Sequence, residues 1–74
     1  MKLNILSYLA TVTDAPAKEI AQACGASLPA ASMSLLRLNR GGLVERTFDP
    51  DRGCHYYALT RRGVARLTFL RRGA

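Results

Sequence analysis

Up to residue 40 the apolar positions return every three or four residues, and beyond residue 42 they fall into two short runs separated by a turn signal. The first spacing marks helix faces, and the second, bounded by Gly, Pro and Asp, marks strands. In the opening segment Leu3, Leu6, Leu9 and Ala10 make one apolar face, and Ile5, Tyr8 and Val12 make another. The pattern predicts a helix over about Lys2–Thr13, apolar nearly all round and therefore buried on more than one side. One side meets the core. The other either meets a second subunit, through Ile5, Tyr8 and Val12 with Phe69 near the end of the chain, or is covered by later helices. Thr13-Asp14-Ala15-Pro16 is a break, because Pro16 disfavours helix at Ala15 and Thr13 or Asp14 supports a turn.

The segment Ala17–Val44 organises the rest. Ala17, Ile20, Ala21 and Cys24 form one stripe of a second helix, and Gly25 ends it where positive φ is commonly needed. Ser27 is a good N-cap for a third helix, and Pro29 falls in its first turn, where a missing N–H does little harm. Leu28, Ala31, Leu35 and Leu38 repeat on one face of that helix, over about 28–40, and Gly41-Gly42 stops it. Two helices joined by a tight Gly-containing turn make a helix-turn-helix.

Leu43–Phe48 reads as a strand and His55–Leu59 as its return. Between them, Asp49 and Pro50 suit a type I turn, and Gly53 takes the left-handed position that closes a hairpin with a bulge. Thr60 caps a last helix over about Arg61–Arg72, with Val64, Leu67 and Leu70 inward; Gly63 weakens that helix by up to about 1 kcal/mol relative to Ala. The order helix, helix, helix, strand, strand, helix predicts a mainly α fold with a small β-hairpin wing, a winged helix-turn-helix, as a single domain over residues 1–74.

The 74 residues carry a net charge of +6, and its placement changes the picture. Residues 1–36 sum to zero, whereas residues 37–74 hold nine Arg against Glu45, Asp49 and Asp51 and carry the whole excess. A basic half in a small domain points to a polyanion, usually nucleic acid; the same residues also read as a solvated surface. A core of this size supplies only about 3–5 kcal/mol, so a partner such as a second copy is expected. No apolar run approaches the roughly 20 residues of a membrane span, and no cleavage site follows Met1–Leu9, which points to the cytoplasm. Two cysteines are too few for a disulfide scaffold.

Residues 17–63, through EIAQACGAS, LLRLNRGGLVER and DPDRGCHYYALTRRG, resemble the winged-helix core of bacterial transcription regulators of the MarR and PadR types. The ending YYALTRRG, with Leu59, Thr60 and Gly63, is similar to the PadR-type wing end; Asp-Pro-Asp-Arg is closer to the MarR type. The short length is similar to that of single-domain regulators of the FaeA type. The first two families usually carry further helices that form a dimerisation arm, so a homodimer of this chain is expected to use its first and last helices.

The resemblance implies that the third helix enters the major groove and the wing covers the neighbouring minor groove. At 100° per residue from Ala31, the outward face of that helix holds Pro29, Ala30, Met33, Leu36, Arg37 and Arg40, with Ser32 and Ser34 on its flanks. Arg37 suits guanine edges or phosphate, and Ser27, Ser32 and Ser34 suit phosphates or bases. Ala30 and Met33 suit thymine methyls, although Met33 and Leu36 equally suit packing against the last helix or a partner. The face is thin in polar groups, which implies modest sequence specificity helped by shape readout. Arg52 at the wing tip would enter the minor groove, oriented by Asp49 or Asp51. Arg46 and His55 are phosphate or solvent groups, Arg61 and Arg62 are placed to reach the backbone, and Arg66, Arg71 and Arg72 read as a solvated face.

Other chemistry has little support. Cys24, Cys54 and His55 are scattered and lack a C-x-x-C pair, so no metal is expected, and Cys24 reads as a core residue. Cys54 beside Arg52 raises a redox switch as a minor idea. No nucleophile–base arrangement is visible, so neither catalysis nor a cofactor is expected. The expected function is a sequence-preferring regulator that binds double-stranded DNA, and the alternative is a protein–protein interaction module within a larger complex.

Overall fold

The computed structural model describes residues 2–73; of the expected 1–74 domain, Met1 and Ala74 lie outside them. Seven elements follow in the order α1 (Lys2–Leu9), β1 (Ala15–Pro16), α2 (Ala17–Ala23), α3 (Leu28–Arg40), β2 (Val44–Asp49), β3 (Cys54–Leu59) and α4 (Arg61–Gly73). The fold is a winged helix-turn-helix: four helices and a three-stranded antiparallel sheet in the order β1-β3-β2.

The first helix is shorter than the apolar pattern predicts. Thr11 sends both its N–H (2.9 Å) and its hydroxyl (2.7 Å) to the Tyr8 carbonyl, closing the last turn. The β-branched Thr11-Val12-Thr13 run then favours extended backbone. The break at 13–16 becomes a strand at its end, with Ala15 opposite Tyr57 and Pro16 opposite Tyr56. No periodicity reveals a two-residue strand; Pro16 tolerates it because it lies on a sheet edge.

The helix-turn-helix follows its local signals. Gly25 adopts φ +65°, and Ser27 Oγ accepts from the Ala30 N–H at 3.3 Å. Ala31, Leu35 and Leu38 are buried, but Leu28 is 49% exposed. Leu28 opens the first turn, before the helix has come over the core, and faces a cleft shared with Pro16, Cys54 and His55.

The core joins Ile5, Leu6 and Leu9 of α1 to Ile20, Leu35, Val44 and Leu67. Ile5 is completely buried. It therefore packs within the chain and is not part of a dimer surface, whereas Tyr8 and Val12 are half-buried beside the core. Leu3 and Ala10 face outward, so the α1 stripe that reaches the core is Ile5, Leu6 and Leu9.

In the last helix Leu67 is buried and Leu70 half-buried, but Val64 is 51% exposed. The inward position of the first turn belongs to Gly63. A Cβ there would collide with the Leu43 carbonyl oxygen and stand 3.0 Å from Leu59 Cδ2. The sequence counts Gly63 as a weakness of the helix, but the structure makes it the residue that lets α4 press onto the start of the wing. Thr60 completes this joint. Its N–H donates to Leu43 O (3.1 Å), its hydroxyl donates to Gly42 O (2.5 Å), and its Oγ1 caps α4 by accepting from the Gly63 N–H (3.0 Å).

Candidate nucleic-acid interface

Two features rise from the body: the outer face of α3 and the β2–β3 wing. On α3, Pro29, Ala30, Ser32, Met33, Arg37 and Arg40 are exposed, as is the Ser27 cap, while Ser34 and Leu36 are half-buried. Met33, 53% exposed, is the large apolar group at the centre of this face. Arg37 and Arg40 occupy the last turn, where the helix dipole favours cations. Asn39 belongs to the scaffold: its Nδ2 donates to Val44 O at 3.1 Å and ties the end of α3 to β2.

The wing is set by its turn. Asp49 Oδ1 accepts from the Asp51 N–H at 3.0 Å, Asp49 O accepts from the Gly53 N–H at 2.8 Å, and Gly53 takes φ +69°. The hairpin pairs Val44 with Leu59 through Asp49 with Cys54. Beyond Val44 the side chains of Glu45, Arg46, Thr47 and Phe48 are all exposed, so the strand leaves the body and offers both faces to solvent. Phe48 and His55, opposite one another, stack edge-on with ring centroids 5.1 Å apart.

Arg52 does not extend freely from the tip. Its Nη1 donates to the Tyr56 hydroxyl at 2.5 Å, its guanidinium carbon lies 5.5 Å from the Tyr56 ring centroid, and its Nε is 3.8 Å from Asp49 Oδ2. The Tyr56 hydrogen bond, and after it the electrostatic influence of Tyr56 and Asp49, push the Arg52 pKa further up. Sequence reasoning named the Asp49 contact but missed Tyr56, which it counted only as a strand former. The spacing of four residues across a Gly turn was the available signal.

The structure thus brings Ser27, Pro29, Ala30, Ser32, Met33, Arg37 and Arg40 onto one helix and its cap, and places Arg46, Arg52 and His55 on the separate wing. Of the proposed dimer residues, Phe69 is 67% exposed on α4, whereas Ile5 is fully buried. Cys24 and Cys54 are free and half-buried, and burial pushes the Cys24 thiol up. Among the described residues no cluster of three or more His, Cys, Asp or Glu could hold a metal ion, and no helix is long and apolar enough to cross a membrane.

A MarR family transcription regulator superposes with a TM-score of 0.88 at 32% sequence identity, over 97% of this chain and 48% of its own. The chain is a MarR-like winged-helix core. A MarR family transcriptional regulator from Silicibacter pomeroyi matches with a TM-score of 0.84 at 26% identity, over 93% of this chain and 47% of its own. The C80S mutant of MarR from E. coli, solved in complex with operator DNA, matches with a TM-score of 0.81 at 25% identity, over 86% and 46%. The MarR-like core spans about half the length of these structures. No family model matches the chain, and no curated protein matches it.

Proposed function

We propose that this MarR-like core is a regulator of transcription that binds double-stranded DNA with modest sequence preference. It places α3 (28–40) in the major groove and the wing (48–55) at the minor groove. The observation that carries this reading is the α3 face, exposed from Pro29 and Ala30 through Met33 to Arg37 and Arg40, in a fold that one neighbour presents bound to operator DNA. Arg37 and Arg40 supply grip to bases or phosphate, and Ser27 and Ser32 supply hydrogen bonds. Ala30, Met33 and the Pro29 ring supply apolar contact, and Arg52 enters the minor groove, where negative potential concentrates. Arg46 and His55 face backbone along the wing.

The core acts as one domain in the cytoplasm and as a homodimer, with Tyr8, Val12 and Phe69 as the candidate contacts. Selection of bound duplexes from a random library tests all of this together. An enriched site with two half-sites about one helical turn apart, roughly 10 bp, supports a dimeric regulator. Absence of enrichment, with no binding at low salt, overturns the DNA reading. It leaves the alternative that the exposed Met33 favours, a module that docks on another protein.

A further inference from the structure

The arginines of α4 form a feature that the α3-and-wing footprint does not use. Ser34, Arg37, Leu38 and Gly41 of the α3 side line a groove of about 510 Å³ whose other wall is Arg62 and Arg66 of α4. Three arginines therefore line one groove, and no acidic residue lines it. The only ion pair among the described residues is Arg52–Asp49, far off in the wing turn. The groove continues along α4 into a shallower one lined by Leu43, Arg62, Ala65, Arg66 and Phe69, again without an acid.

Two further observations bear on what the groove receives. Arg62 Nη1 lies beside the Gly42 turn, 3.4 Å from where a Cβ on Gly42 would stand, and the φ of +76° is what favours glycine there. In addition, α4 has no acidic residue in its first turn, where the helix dipole is positive and cations are disfavoured. Arg61 and Arg62 stand there all the same. Such a cluster costs the isolated fold some repulsion and gains from a bound anion. A second copy of the same groove would bring like charges together and is disfavoured. A polyanion that already lies against Arg37 reaches Arg62 and Arg66 without leaving the surface.

We infer that the α3–α4 groove is a second backbone-docking surface, in which Arg62 and Arg66 together with Arg37 hold phosphates of the DNA strand that borders α3. Leu28 of α3 faces the cleft with His55 of the wing, while Ser34 and Leu38 face α4. The wing therefore meets the recognition helix at its first residue and the groove meets it along its second half, and the two surfaces grip backbone at separate points along the inserted helix. The inference rests on the DNA reading and extends it to a helix outside the usual α3-and-wing footprint.

The test is duplex binding across a salt series for the wild-type chain, the Arg62→Gln/Arg66→Gln variant and an Arg71→Gln/Arg72→Gln control. Both variants remove two charges, but Arg71 lines a separate cleft with Val12 and Thr68. Each phosphate contact contributes a slope of about −0.9 in log K against log salt. The groove variant is expected to show a slope shallower by about 1–2 and weaker binding at every salt concentration, with the control close to wild type. Unchanged helical circular dichroism in both variants excludes unfolding as the cause. A groove variant with the wild-type slope, or equal losses in groove variant and control, overturns the inference and leaves the DNA reading standing. Wild-type chain that fails to bind at low salt overturns both.

Discussion

Arg52 and Tyr56 are joined across the tip of the wing, the guanidinium donating to the phenol oxygen at 2.5 Å and lying 5.5 Å from the ring centroid. A long, exposed side chain is thereby held in one orientation by the strand that returns from its own turn. Holding it before binding removes part of the entropy cost of fixing it in a groove. Tyr56→Phe keeps the ring and removes the hydroxyl. It is expected to weaken duplex binding several-fold with the salt slope preserved, because the charge remains. Arg52→Ala is expected to weaken binding further and to make the slope shallower by about 0.9. Salt-titrated fluorescence anisotropy reads both; identical affinity for Tyr56→Phe and wild type would show that the hydroxyl does not position the arginine for DNA.

Gly63→Ala separates local propensity from packing. Helix propensity alone makes the change favourable by about 1 kcal/mol. The close approach of Leu43 O and Leu59 Cδ2 makes it overpacking instead, with an expected net loss of about 1–3 kcal/mol. Urea denaturation gives the sign directly, and a stabilised Gly63→Ala variant would mean that α4 can move off the wing base at little cost.

Thr60 and Ser27 are both N-caps, but they carry unequal loads. Ser27→Ala loses one cap hydrogen bond, at a typical cost of about 1 kcal/mol. Thr60→Ala also leaves the Gly42 carbonyl without its hydroxyl donor, so about 2 kcal/mol is expected, and Thr60→Ser should recover most of it. Equal losses at the two caps would argue that the Thr60–Gly42 bond adds nothing.

Ile5 and Phe69, grouped by sequence as dimer candidates, should behave oppositely. Ile5→Ala empties a fully buried site and is expected to cost about 2–5 kcal/mol, enough to unfold a domain of this size. Phe69→Ser touches an exposed side chain and should leave the fold intact while lowering the sedimentation coefficient of a dimer. A Phe69→Ser variant that is as dimeric as wild type would move the interface elsewhere.

Much of the fold was legible because its signals are local. Gly25, Ser27, Pro29 and Gly53, and Thr60 in its role as a cap, each act within a few residues of themselves, and each adopts the role its chemistry suggests. The errors fall where two distant segments meet. Leu28 and Val64 share helical spacing with buried neighbours, yet each lies in the first turn of its helix, at the edge of the core. Tyr56 is a separate case, since its partner Arg52 lies only four residues away across the turn, whereas the arginine that shares a groove with Arg66 belongs to another helix.

By itself the sequence determined the element types, the helix-turn-helix with its caps, the hairpin turn and the bias of charge toward the second half, because periodicity, φ preference and ionisation are properties of short stretches. Only the tertiary structure decided that Ile5 belongs to the core, that Gly63 is a contact point and that Ala15–Pro16 is a strand of the sheet. It also decided that Arg52 is held by Tyr56 and that Arg62 and Arg66 meet Arg37 across one groove. These facts depend on which surfaces fold against each other, and the spacing of apolar residues along one element does not encode how far its partner reaches.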